Sequence, residues 1–121
     1  MNICITGSEG FIGKHLQRKL AAHNIYPIDL KRGIDIRKKL DYFRPFDAVI
    51  HLAALTDIRE SELNPHETHS TNTEGTKKIL YTAIQNNVKR FILASSAAVY
   101  NPINHYANSK FWAEKICEEY K

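Results

Sequence analysis

A doubly wound α/β fold, with parallel strands in one open sheet and helices on both of its faces, is what this sequence predicts. Three observations predict it. Short apolar runs of strand length alternate with stretches of helical periodicity along the whole chain. The first run passes into the first helical stretch through Gly7, Gly10 and Gly13, spaced G-x-x-G-x-x-G. The 121 residues suffice for one domain that removes about two-thirds of its unfolded surface from water.

In order, Asn2–Thr6 reads as a buried strand, and residues 11–22 as a helix with Ile12, Leu16 and Leu20 on one face. Residues 25–28 form the second strand, which completes a β-α-β unit and ends at Asp29. A short strand is expected at 34–36 and a fully buried parallel one at 47–52, DAVIHL. A long helix over 66–87 carries the stripe Ile79, Leu80, Ala83 and Ile84, and the strand 90–94 follows it. The last helix, 105–120, repeats Trp112, Ile116 and Tyr120 every fourth residue, a stripe expected to face the core. Right-handed crossovers then place any ligand at the C-terminal ends of the strands.

The three glycines meet a specific physical need. A strand must reverse into a helix whose free N–H groups and positive dipole end face a pyrophosphate, with no side chain in the way. Gly7 suits the tight turn, Gly10 the approach of phosphates to backbone, and Gly13 the close packing of helix on strand. An ordinary glycine-rich strand-to-helix loop is the other reading of the glycines alone. Asp29 adds a carboxylate that can accept both hydroxyls of an adenosine ribose and repel a 2′-phosphate, which favours NAD over NADP. Lys31 and Arg32 lie next to it and can attract a phosphate, or simply be solvated in an exposed turn.

Composition narrows the function classes. The formal charge of +4 and the pI near 9.1 come from Lys and Arg spread along the helical stretches, with no basic tail or stripe, so a nucleic-acid partner is not expected. Cys4 in a strand and Cys117 in the last helix form neither a disulfide framework nor metal-ligand spacing, and the histidines add no ligand pattern. Both cysteines read as buried thiols of a reducing cytosol, and no signal peptide or membrane-spanning run is visible, so a cytoplasmic location without membrane contact is expected. No metal site is expected, and His51 is expected to pack at a strand end rather than act as an acid or base.

The strand ends carry the remaining candidates. His51-Leu52-Ala53-Ala54 follows the third main strand, and its small residues let a planar group pass close to the backbone. Ala94-Ser95-Ser96 follows the fourth. Tyr106 and Lys110 are four apart, hence on one helix face. An ammonium beside a phenol favours phenolate and makes it a usable general base or acid, and a serine hydroxyl near the same substrate oxygen shares the proton. A helix with a polar face also explains Y-x-x-x-K.

Taken together, Thr6-Gly7-Ser8-Glu9-Gly10-Phe11-Ile12-Gly13, Asp29, Asp35-Ile36, His51-Leu52-Ala53-Ala54, Asn72 with Gly75-Thr76, Ser95-Ser96 with Val99-Tyr100, and Tyr106 to Lys110 resemble one known family. It is the extended short-chain dehydrogenases/reductases, in particular the NAD-dependent sugar-nucleotide epimerases and dehydratases of the UDP-glucose 4-epimerase-like kind. The resemblance covers essentially the whole chain and implies a Rossmann-like NAD(P)-binding domain over residues 1–121. It implies that Phe11 and Ile12 offer backbone amides to the pyrophosphate and that Asp29 binds the adenosine ribose. Asp35 and Ile36 then contact adenine, Leu52, Ala53 and Ala54 line the cofactor, and Asn72 supports the strand ends that hold it. Tyr106 becomes the catalytic base and Ser96 the catalytic hydroxyl, with Lys110 binding the nicotinamide ribose and tuning Tyr106. The implied cofactor is NAD and the implied substrate a nucleotide-sugar-type small molecule.

Two departures from the family pattern bear on function. The connection from Tyr100 to Tyr106 is much shorter than is usual in the family, although residues at about 3.3 Å each still span from strand end to helix start. The sequence also stops at Lys121, where the family continues into further strands and a sugar-nucleotide domain. The expectation is a sheet incomplete at its C-terminal edge, with the substrate domain absent. Phe91-Ile92-Leu93-Ala94 at an unpaired edge then invites self-association; for the helices bearing Tyr81 and Trp112 the resemblance implies a homodimer interface, and burial of both residues within the same subunit fits equally well. Three functional readings follow: a shortened epimerase/dehydratase-like oxidoreductase, a non-catalytic NAD-binding or partner-binding module, or an inactive remnant of a truncated gene. The groups that grip a dinucleotide are present and those that grip substrate are not, so binding ranks above complete catalysis.

Overall fold

The structure, a computed structural model, describes residues 1–41 and 43–121. Four strands, β1 (Asn2–Thr6), β2 (Asn24–Ile28), β3 (Ala48–His51) and β4 (Phe91–Leu93), form one parallel sheet in the order β2-β1-β3-β4. The sheet is the expected Rossmann-like one. Strand order runs outward in one direction from β1 to β2 and in the other through β3 to β4, so the topological switch point lies between β1 and β3. Right-handed crossovers on either side of that point put their helices on opposite faces of the sheet.

The β1 residues Ile3, Cys4 and Ile5 are buried because neighbours flank the strand on both sides, Ile3 pairing with Ile25 and Ala48 and Cys4 with Tyr26 and Val49. Cys4, Ile28, Ile36, Phe46, Val49, Ile79 and Ala83 form the main core cluster. Burial pushes the Cys4 thiol up to about 12, so it is a packing group and not a nucleophile.

Among the described residues, five α-helices accompany the sheet. Helix α1 (Phe11–Lys19) starts at Gly10 without a side-chain cap and ends with Arg18 and Lys19 in its last turn, where cations suit the negative end of the dipole. It stops short of residue 22 because the Leu20 and His23 amides close turns onto Leu16 and Leu20. Helices α2 (Ile58–Leu63) and α3 (Pro65–His69) lead through a π-helical turn, Ser70–Glu74, into α4 (Gly75–Gln85). Helix α5 (His105–Glu118) begins at Asn104, whose side chain accepts from the Ala107 amide at 2.7 Å.

Several expectations are corrected or refined. Residues 34–36 form loop and turn instead of a strand, held by the Asp35 carboxylate accepting from the Arg37 amide at 2.9 Å. The long helix expected over 66–87 is present as a continuous helical run over 65–85 with the π turn inside it, and α2 precedes it where no element was expected. Helix α5 turns the small residues Ala107, Ser109 and Ala113 inward together with Lys110, whereas Trp112 and Tyr120 are half exposed. Ile12 and Ile84, assigned to core stripes, are also exposed.

Candidate functional site

The C-terminal ends of β1, β2 and β3 and the loop after β4 surround a cavity of about 600 Å³, the size range of small-molecule and cofactor sites. Its floor is the glycine turn. Gly7 has φ of +69°, a left-handed conformation that disfavours side chains, and a Cβ there would meet the Ala53 amide nitrogen at 2.7 Å. A Cβ on Gly13 would collide with the Gly7 carbonyl oxygen and with the Ser8 backbone at 2.8 Å. Gly10 differs: a Cβ there meets only the Gly7 carbonyl oxygen, at 3.3 Å, and otherwise open space. Two of the three glycines therefore close the turn, and the third leaves its mouth open. With no side-chain cap and no acidic residue in its first turn, α1 presents its N-terminal amides and positive dipole end there.

At the β2 end Asp29 is fixed by backbone donors, its two carboxylate oxygens accepting from the Glu9 and Lys31 amides at 2.9 Å each. Arg32 Nε donates to Glu9 Oε1 at 2.8 Å. Asp35, also at the cavity wall, is clamped by Arg37, whose Nη2 reaches Asp35 Oδ2 at 2.8 Å while Nη1 reaches Glu67 Oε1 at 2.7 Å. The Arg37 guanidinium holds the Asp35 carboxyl below the usual carboxylate range. Ile36 belongs to both the cavity wall and the core cluster.

On the far wall stand Leu52, Ala53, Ala54, Ala94, Ser95, Tyr106 and Lys110. Tyr106 and Lys110 share the α5 face turned to the cavity, although the connection of residues 101–105 is short. Asn108 Nδ2 donates to the Pro102 carbonyl at 3.0 Å, and the Tyr106 amide to Ser61 Oγ at 3.2 Å, so both α5 and α2 hold the helix start in place. Lys110 Nζ is buried and donates to the Ala94 carbonyl at 2.7 Å, and burial lowers its affinity for the proton.

Most of the expected site residues line this one cavity: Gly7, Gly10, Phe11, Ile12, Gly13, Asp29, Asp35, Ile36, Leu52, Ala53, Ala54, Tyr106 and Lys110. Ser96 and Asn72 do not. Ser96 Oγ accepts from the Ala98 amide at 3.2 Å, capping the turn Ala97–Tyr100, and its neighbour Ser95 occupies the wall. Asn72 sits behind the wall, fully buried, accepting from the Leu55 amide and donating to the Leu55 carbonyl at 2.8 Å each.

Behind the wall runs a polar chain that the sequence did not disclose. Thr76 Oγ1 donates to the Asn72 carbonyl at 2.7 Å, so toward His51 Nε2, at 2.9 Å, it can only accept. His51 is then the neutral Nε2–H tautomer, and its Nδ1 accepts from Thr6 Oγ1 at 2.6 Å, which in turn accepts from the Ala53 amide at 3.2 Å. Asn72 Nδ2 continues the chain to Ser109 Oγ at 3.0 Å, and Ser109 Oγ donates to the Tyr106 carbonyl at 2.7 Å. Burial first, and the Lys110 cation second, push His51 down to about 3, which agrees with a neutral ring that packs and does not titrate in catalysis.

A parallel sheet with a glycine-lined helix start at its switch point and a Tyr–Lys pair across the cavity is the architecture of a dinucleotide-type α/β domain. The model of the NAD dependent epimerase/dehydratase family matches residues 3–121, and the chain belongs to that family. It is 30% identical to GDP-6-deoxy-D-talose 4-dehydrogenase of Aggregatibacter actinomycetemcomitans, in an alignment that takes in all of this chain and 49% of the relative. That alignment spans 146 positions, so the relative carries residues within the matched region that this chain lacks. Among solved structures, the UDP-Glc/GlcNAc 4-epimerase of Campylobacter jejuni superposes with a TM-score of 0.88 at 27% identity, over 98% of this chain and 48% of that one. MoeE5 in complex with UDP-glucose and NAD gives 0.92 at 26% identity, over 99% and 49%. The chain thus spans about half the length of the relatives it matches.

Proposed function

We propose that this chain binds NAD in the cavity at the sheet switch point and serves as the dinucleotide-holding part of a nucleotide-sugar epimerase/dehydratase-type oxidoreductase. The observation that carries the reading is the convergence on one wall-to-wall cavity of the open α1 start at Gly10, the fixed Asp29 carboxylate and the Tyr106–Lys110 pair. The fit is physical: Gly7 and Gly13 have no room for a Cβ, and Gly10 keeps the approach to the α1 amides clear. Phe11 and Ile12 amides hold the pyrophosphate, Asp29 the adenosine ribose, Asp35 and Ile36 the adenine, Leu52, Ala53 and Ala54 the flat of the dinucleotide, and Lys110 the second ribose. Bound NAD supplies a hydride acceptor and donor. Tyr106 takes the proton of a substrate hydroxyl, with Ser95 or Ser96 bonding the same oxygen. Ser96 caps Ala98 and lies outside the cavity wall, so catalysis through Ser96 requires it to turn inward, which favours, as a second reading, an NAD-binding module without turnover.

The test is calorimetric titration of the chain with NAD, followed by incubation with NAD and UDP-glucose or UDP-galactose. One NAD per chain is expected. Turnover selects the enzyme, stoichiometric binding without turnover selects the module, and no binding removes both. Reduced Cys4 and Cys117 suit a cytosolic setting. The β4 edge, with Ile92 exposed, is proposed as a self-association surface. A monodisperse monomer in sedimentation at tens of micromolar would sink that assignment.

A further inference from the structure

We infer that Glu9 is a specificity-determining residue for the dinucleotide, because it holds the Arg32 guanidinium away from the position where a 2′-phosphate would sit. The inference rests on the reading of the cavity as a dinucleotide site and adds to it a residue outside the glycine and β2-end positions.

The rim at the β2 end holds four charged side chains, two of each sign: Asp29, Glu9, Lys31 and Arg32. Asp29 is locked, with both oxygens accepting from backbone amides, and it forms no ion pair among the described residues. Its charge lies at the cavity wall. Lys31 lines the cavity and likewise has no ion-pair partner among the described residues. Arg32 is the cation with the geometry to bind a phosphate through parallel N–H groups. Its Nε instead lies 2.8 Å from Glu9 Oε1, and Arg32 is absent from the cavity wall while Glu9 is part of it.

Glu9 also reaches this place for a backbone reason. Its own amide donates to Asp29, so the residue that anchors the ribose carboxylate is the one whose side chain holds Arg32. The four charges sum to zero with Glu9 in place. Without Glu9 the rim becomes net positive and the guanidinium is free beside the ribose, the arrangement that accepts a 2′-phosphate.

The experiment is titration of NAD and NADP into four forms of the 121-residue chain: wild type, Glu9→Gln, Arg32→Ala and the double variant. The readout is the ratio of the NADP to the NAD dissociation constant. Wild type favours NAD. Glu9→Gln lowers the ratio about tenfold, the size of one unit-charge interaction near a protein surface. Arg32→Ala exposes the Glu9 charge and raises the ratio, and the double variant, again neutral at the rim, returns to within about twofold of wild type. The gain in Glu9→Gln shrinks as salt rises from 0.05 to 0.5 M. Both side chains are partly exposed, and the Glu9 amide that anchors Asp29 is untouched by the substitutions, so all four forms are expected to fold.

An unchanged ratio in Glu9→Gln overturns the inference, as does a gain that survives in the double variant or a wild type that prefers NADP. Wild type that binds neither dinucleotide overturns the dinucleotide reading and this inference together. Wild type that binds NAD with a ratio indifferent to Glu9 overturns this inference alone.

Discussion

Gly10 and Gly13 are the same residue three positions apart, yet the structure asks different things of them. A Cβ on Gly13 has backbone on every side that it would meet, whereas a Cβ on Gly10 has one carbonyl oxygen at 3.3 Å and then open space. Gly13→Ala is therefore expected to cost about 3 kcal/mol or more, through overpacking of backbone against backbone that cannot move aside. Gly10→Ala, at an N-cap with ordinary extended backbone, should cost less than about 1 kcal/mol and still lower NAD affinity about tenfold, because the methyl stands where phosphate approaches the amides. Urea unfolding and NAD titration of the two variants check the split, and a Gly10→Ala chain that binds NAD like wild type would contradict it. The spacing of these glycines was readable because the turn is local: strand end, reversal and helix start fall within a few residues. The serines were harder. Which of Ser95 and Ser96 faces the cavity depends on the turn that follows β4, and there Ser96 Oγ accepts from the Ala98 amide while Ser95 takes the place at the wall. His51 was placed correctly as a packing residue, but its partners Thr6 and Thr76 lie 45 and 25 residues away and share no motif with it.

Elements show the same division between local and distant causes. The strands were legible because each is a short, largely apolar run, with β1 and β3 buried along most of their length, and their parallel order followed from the alternation with helices. Helix α5 was misread because Trp112, Ile116 and Tyr120 have the period of a core stripe while the buried face is built from small residues. Ala107, Ser109 and Ala113 let α5 lie close against α3 and the π turn, where Thr73 Oγ1 donates to the Ser109 carbonyl at 3.1 Å and Asn72 reaches Ser109 Oγ. The π turn itself depends on contacts along the chain and across to loop 52–55, so no helical period announces it. The expected start of α5 at residue 105 is met, and the structure supplies the reason: the Asn104 side chain accepts from the Ala107 amide, with Asn108 tied back to residues 102 and 104. Removing that cap with Asn104→Ala should cost about 1 kcal/mol and weaken the placement of Tyr106 two residues on, whereas Asn104→Asp, which retains an acceptor, should cost no more than a few tenths. Equal losses in thermal unfolding for the two variants would show that the cap does not fix the helix start.

Across the whole molecule the polar chain through His51 joins β1, β3, the π turn and α5 into one body, and it gives the fold a pH dependence of definite sign. His51 is buried and accepts at Nδ1, so it stays neutral down to about 3 in the folded state, while in the unfolded chain it takes up a proton near its ordinary value of about 6.5. Between those values the unfolded state binds one more proton than the folded state, and stability must fall as the pH is lowered. The full contribution is present above about pH 6.5 and is lost as the pH falls from there toward about 3. The slope approaches 1.4 kcal/mol per pH unit, roughly one proton's worth, once the pH is below about 5.5. His69, lowered by partial burial and by His105 at 3.2 Å, adds in the same direction, so the wild-type slope alone does not isolate His51. His51→Gln does, since an amide can still accept from Thr6 and donate to Thr76 but does not titrate. Urea unfolding of the two chains at pH 7.0, 6.0 and 5.0 should give wild-type stability that drops more steeply than that of His51→Gln, the difference growing by about 1 kcal/mol per unit below pH 6. Parallel pH profiles would mean that His51 is protonated within the fold, and the ordered direction of hydrogen bonds from Ala53 to Asn72 would have to be abandoned, because a doubly protonated ring has no acceptor to offer Thr6.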